Sequence, residues 1–205
     1  GDDTLALVQR LAGTASGQRF AARLHGATGG HPLFLVETLR HLLDSGWVRV
    51  GDDGAWHTPV DEQTSDYAEL PVPASVREAI LARADRLGEA ARRLLEAAAC
   101  MRRPVHFELV AGATALSEWE GVEALARIRR AHLMAEDGEG RHRFTHDLIG
   151  QTLADALTPE RRRLLHRALA RALEHTGNAE PAEVAAHWQD GGEPAQAAPW
   201  WARAA

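Results

Sequence analysis

Leu133-Met134-Ala135-Glu136-Asp137-Gly138-Glu139-Gly140-Arg141-His142-Arg143-Phe144 decides the fold. It reads as strand, turn, strand, with Asp137 to Gly140 supplying the turn chemistry. Everything before it has helical spacing. Val76, Ile80, Ala84 and Leu87 form one face, and Leu94, Leu95 and Ala98 form the next. Phe107, Leu109 and Val110 predict a short third helix, and Leu125 and Ile128 lie on a fourth. Three or four helices closed by a hairpin give the outline of a winged helix, spanning residues 70–157.

Toward the N-terminus, Leu5, Val8 and Leu11 open an amphipathic helix, and Phe20 and Leu24 lie on a second. Thr28-Gly29-Gly30-His31-Pro32 then leads into a helix with Leu35, Leu39, Leu42 and Leu43 on one buried face. Pro32 suits its first position, where a missing N–H costs nothing. Gly46 suits its left-handed end. Trp47 to Val50 and Ala55 to His57 flank Gly51-Asp52-Asp53-Gly54, which predicts a small β-hairpin. Residues 1–60 are thus a helical segment with a hairpin, and the polar stretch 61–69 is a linker. Leu70-Pro71-Val72-Pro73 should be extended.

Toward the C-terminus, Ile149, Leu153 and Leu157 make one stripe. Thr158-Pro159-Glu160 starts a helix with a capping hydroxyl, a proline and an acid in the first turn. Leu165, Leu169 and Leu173 follow, and Pro181 and Pro194 start two shorter helices. Paired helices over 158–205 suggest the start of a TPR-like helical repeat array. Pro199 conflicts with the last of these, so that helix should either start there or kink. The expected fold is mainly α.

Bulk composition narrows the function. All 23 basic residues of the 205 are arginine, which together with abundant Ala and Gly reads as coding bias. A net charge of -6 argues against the whole chain binding nucleic acid or a membrane surface. No apolar run is long enough to span a bilayer, and no secretory signal is visible, so a cytoplasmic location is expected. Both ends read as cuts within a longer polypeptide. The single cysteine, Cys100, follows three alanines and reads as a buried thiol. His142 and His146 stand four apart, but on a strand and its exit, which does not suit zinc. No catalytic set and no metal site stands out.

Three segments in register carry a resemblance: Thr28 to Glu37, Leu70 to Ile80 continuing through Asp85-Arg86-Leu87, and Phe144-Thr145-His146-Asp147-Leu148-Ile149. The first is similar to the TGGNPFFLEE segment of STAND-class (AAA/NACHT-like) signalling ATPases, and the whole resembles the large LuxR-type bacterial transcription regulators. The resemblance implies a lid, a winged helix and helical repeats that follow a P-loop domain. A P-loop needs a lysine to reach the β- and γ-phosphates, and this chain has none, so the chain itself is not expected to be an enzyme.

The resemblance also implies an ATP/ADP site shared with an upstream domain of the same polypeptide. Gly30 and Pro32 match the family's GxP element, where proline packs on adenine, and His31 stands where asparagine is common. Thr145-His146-Asp147 matches the Met-His-Asp motif, whose histidine contacts the β-phosphate of ADP. An imidazole N–H suits that role and its charge can follow pH, while Asp147 is placed to cap the next helix. An inducer acting through downstream repeats and self-assembly on activation are the implied partners. A direct DNA role through Arg127, Arg129, Arg130, Arg141 and Arg143 is the rival, opposed by the surrounding Glu118, Glu120, Glu123, Glu136, Asp137 and Glu139. A second rival is a protein-binding scaffold using Trp188, Trp200 and Trp201, against which stands the favoured reading that they pack between repeats.

Overall fold

Helices dominate the computed structural model, which describes residues 17–52, 56–57, 73–177 and 179–205. The expected first helix at Leu5 to Leu11, the linker 61–69 and Leu70 to Val72 lie outside the described residues. The chain divides into two compact units, Gly1–Arg83 and Ala84–Ala205.

In the first unit, α1 (Gly17–Thr28) and α2 (Pro32–Asp44) are followed by β1 (Arg49–Val50), β2 (Trp56–His57) and most of α3 (Val76–Arg86). Phe20, Ala21 and Leu24 of α1 meet Leu35, Leu39 and Leu42 of α2 and Val48 in one core. Gly46 ends α2 with φ 75°, and Val48 turns back to donate to the Leu42 carbonyl at 3.1 Å. The left-handed turn thus satisfies a carbonyl that the helix end leaves open. The hairpin pairs Arg49 with His57 and Val50 with Trp56, shorter than the sequence alone implies.

The burial of α2 extends beyond its leucines. Glu37 is wholly inaccessible, and Arg83 of α3 is 2 % exposed. Their side chains form an ion pair, with Arg40 3.4 Å from the same glutamate and Asp44 3.7 Å from Arg83. Desolvation offsets most of what such a pair gains, but removing one partner strands a buried charge at about 3–5 kcal/mol.

The second unit is built round α4 (Glu89–Met101). Then come β3 (Val105–His106), α5 (Phe107–Ala113), α6 (Glu118–Arg130), β4 (Met134–Glu136) and β5 (Arg141–Phe144). The unit closes with α7 (Asp147–Asp155), α8 (Pro159–Thr176), α9 (Pro181–Asp190) and α10 (Pro194–Ala204). Every residue from Leu94 to Met101 is buried, because α5, α6, α7 and α8 all lie against α4. Ala97, Ala98 and Ala99 keep side-chain volume low where those helices converge. The sheet order is β3-β5-β4, antiparallel throughout, with Met134 opposite Phe144 and Val105 opposite His142. The expected hairpin is present, while β3 was not foreseen.

A second buried carboxylate fastens α4 to α8. Glu96 accepts from Arg92 at 2.8 Å and from Arg161 at 2.6 Å. At Thr158 the helix start follows the chemistry read from sequence, its hydroxyl accepting from the Arg161 N–H; Ser117 and Glu120 add a capping box that the sequence reading missed. In the C-terminal helices, Glu174 accepts from both the Trp188 and Trp200 indoles, at 2.7 and 2.9 Å. Trp188 is buried, Trp200 is half-buried and Trp201 is 43 % exposed, so of the three only Trp188 belongs to the core. Pro199 neither starts α10 nor ends it: the helix begins at Pro194 and runs through Pro199 to Ala204.

His166 of α8 and His187 of α9 are both 6 % exposed and meet Nδ1 to Nδ1 at 2.9 Å. One nitrogen must donate and the other accept, so the contact needs at least one neutral ring. Burial lowers both pKa values, that of His187 to about 4, aided by His166 and Arg103 and opposed by Glu183 and Asp190. Arg102 and Arg162 also disfavour a charged His166.

Two outcomes are expected. Glu37→Gln should lower unfolding free energy by about 3 kcal/mol, and pairing Glu37→Leu with Arg83→Met should recover most of it; urea titration measures both. Both histidines titrate below their unfolded value near 6.5, so the unfolded state binds more protons. Their contribution is full above pH 6.5 and is lost as pH falls toward 4. Thermal melts across that range should show the loss, and His187→Phe should flatten it.

Candidate functional site

The first site segment sits between α1 and α2. Gly29 and Gly30 take left-handed φ values of 60° and 73° in succession. Thr28 anchors the turn: its hydroxyl donates to the Leu24 carbonyl at 2.7 Å, and its carbonyl accepts from the His31 N–H at 3.1 Å. A side chain at Gly30 would come 2.8 Å from Cε1 of His25. The close approach at Gly30 is therefore already used within the unit, independent of any ligand. His31 caps α2, its Nδ1 accepting from the Phe34 N–H at 3.4 Å. That is a role asparagine also plays at helix starts. Pro32 is the first residue of α2 and is exposed, so its ring face is accessible.

The second segment lies where β5 passes into α7. The Thr145 hydroxyl donates to the His132 carbonyl at 2.8 Å, fixing the strand exit. His146, not Asp147, is the N-cap: its Nδ1 accepts from the Leu148 N–H at 3.2 Å. Asp147 is instead the first residue of α7. An accepting Nδ1 places the proton of the neutral ring on Nε2. His146 is exposed, so Nε2–H is a donor available to an anion beside a helix N-terminus. Gly30 and Pro32 belong to the first unit and His146 to the second.

The rival residues are largely engaged. Arg127 pairs with Glu123 at 3.6 Å, Arg129 with Glu136 at 3.3 Å, and Arg141 with Asp137 and Glu139 at 2.8 and 2.6 Å. His142 is buried while His146 is exposed, and among the described residues no group of three or more His, Cys, Asp or Glu could hold a metal. Burial raises the Cys100 pKa to about 11, so the thiol stays protonated and unreactive.

Two features escape sequence reading. Glu37 closes the first resemblance segment, yet its partner Arg83 is 46 residues away. A groove of about 610 Å³ also opens along α7, lined by Arg102, Arg103, Arg143, Asp147, Gln151 and Asp155. Only the adjacent arginines before Pro104 hint at it in sequence.

Gly30→Ala should cost more stability than Gly29→Ala, about 2 against about 1 kcal/mol, since only Gly30 adds a clash to the left-handed φ. Equal losses in denaturant melts would remove the His25 contact as the cause. Compared with protein-family models, curated proteins and solved structures, the chain matches none of them.

Proposed function

We propose that the chain is the regulatory portion of a nucleotide-switched signalling ATPase, comprising a lid, a winged helix and the start of a TPR-like array. The order helix, strand, helix, helix, strand, strand from α4 to β5, with β3 beside β5, supports the winged-helix assignment. The succession α8, α9, α10, each beside the next, supports the repeat assignment. Nucleotide would be bound by a P-loop domain upstream, with Pro32 against the base and His146 on the β-phosphate of ADP.

The observation that carries this reading is the cap at His146. Using Nδ1 to hold α7 orients the ring and leaves Nε2–H on an exposed side chain, available to an acceptor. A phosphate oxygen next to the positive end of a helix is the natural acceptor for it. Protonating Nδ1 would forfeit the cap, so the neutral ring is the form that performs both tasks. ADP can then favour the closed state only by as much as it binds that state better. Inducer binding and nucleotide exchange would favour an open, self-associating state. The reading gives DNA no direct contact with this chain, consistent with the ion pairs on Arg127, Arg129 and Arg141.

In the polypeptide carrying the upstream domain, His146→Ala should weaken ADP by about tenfold, the worth of one hydrogen bond to a charged group. Basal output should rise. Isothermal titration calorimetry measures the first, and unchanged ADP affinity together with unchanged output would refute the clamp.

A further inference from the structure

Helix α6 keeps apolar side chains on its outer face. Its inner face is spent on the unit: Gly121, Ala124 and Ile128 are buried, and the Phe107 ring lies over Gly121, where a Cβ would come within 2.9 Å. On the other side Trp119 is 73 % exposed and Val122 47 %, with half-buried Ala126 near them at helical spacing. Trp119 is the most exposed large hydrophobic residue among those described. Its ring is nevertheless held, because the indole N–H donates to Glu123 one turn on at 3.1 Å. A fixed aromatic ring loses little freedom when a partner packs on it.

The charges around that face are sorted by sign. Glu118, Glu120 and Glu123 occupy the first half of α6, and Arg127, Arg129 and Arg130 the second. That order suits the helix's own dipole, which accounts for the charges but not for an exposed tryptophan among them. It also makes the helix complementary to itself in one orientation. A parallel copy would set acid on acid and base on base, whereas an antiparallel copy sets each acidic half on a basic half. Arg127 pairs with Glu123 at 3.6 Å and Arg129 with Glu136 at 3.3 Å, but both pairs are near half exposed and hold these arginines weakly. Arg130 is exposed and makes no hydrogen bond or ion pair among the described residues.

Trp119 and Arg130 are eleven residues apart, almost three full turns, so they leave the helix in nearly the same direction. A two-fold axis crossing α6 near Ala124 and Leu125 therefore brings Trp119 of each copy to Arg130 of the other, with Val122 and Ala126 between. The chain already uses this contact internally: the Arg203 guanidinium lies 4.3 Å from the centre of the Trp200 ring, and that of Arg171 lies 5.6 Å from the centre of the Trp188 ring.

We propose that α6 is a homodimer surface, packing antiparallel against α6 of a second copy, with Trp119 stacked on the other copy's Arg130 at both ends. The contact is isologous, so each tryptophan–arginine anchor occurs twice. Nucleic acid is a poorer occupant, since its phosphates would meet the three glutamates. A helix of this length spans about 20 Å, which limits the buried area to on the order of 1,000 Å², the low end for specific association. The dimer is accordingly weak. None of these residues has a part in the nucleotide reading, and the test needs no nucleotide, so either can fail alone.

Sedimentation equilibrium of the 205-residue chain, from about 5 µM to about 0.5 mM, should show monomer and dimer in exchange with a Kd of about 10–100 µM. Trp119→Ala should weaken the dimer by about tenfold or more and leave the melting temperature of the dilute monomer within about a degree, because an exposed ring adds little to the fold. Glu118→Arg with Glu123→Arg makes α6 mainly basic, and Arg127→Glu with Arg130→Glu makes it mainly acidic. Each double variant should be monomeric alone, and an equimolar mixture of the two should associate again, with circular dichroism confirming that both keep their helices. A wild-type chain still monomeric at about 0.5 mM would overturn the proposal. So would a Trp119→Ala dimer as tight as wild type, or a double variant that dimerises alone with undiminished affinity.

Discussion

Two buried glutamates hold the helices of this chain in place. Glu37 is enclosed in the first unit and answered by Arg83, with Arg40 nearby; Glu96 is enclosed in the second and answered by Arg92 and Arg161. Each joins helices far apart in sequence. Their value lies less in net stability than in geometry, since a carboxylate taken out of water must find its guanidinium. The planar, always-charged arginine suits this better than lysine. The chain's exclusive use of arginine as its basic residue therefore also serves its structure.

That pairing also changes the meaning of the segment from Thr28 to Glu37. Gly30 fits against His25, His31 caps α2, and Glu37 reaches Arg83. Three of its distinctive residues have internal duties, and Pro32 remains as an exposed one available to a partner. At the other segment, Thr145 and His146 likewise first serve the junction between β5 and α7. His146 does so with one ring nitrogen and keeps the other for outside use.

Much of the fold was legible because it rests on local signals. The leucine spacing of α2, the capping hydroxyl of Thr158 and the glycines of the β4–β5 turn each act within a few residues. What was not legible depends on pairing at a distance. Strand β3 is two residues long and exists because β5 passes beside it. The partner of Glu37, the meeting of His166 with His187, and the groove along α7 follow from packing that no spacing encodes. Asp147 was expected to cap α7, and the exchange with His146 shows the limit of reading a cap from residue type alone, since imidazole rarely enters that list. At the candidate site, the turn at Gly30 and Pro32 and the strand–helix junction at His146 were readable, but the His25 contact at Gly30 and the tautomer of His146 were not.

The central proposal is that the exposed ring of His146, which caps α7, contacts ADP supplied by an upstream domain. Amide hydrogen exchange on that longer polypeptide, with and without ADP, addresses this most directly. The account predicts slower exchange at 29–35 and at 145–149 on ADP addition, with α8 to α10 little changed. Unaltered exchange at 145–149 in the presence of saturating ADP would contradict it.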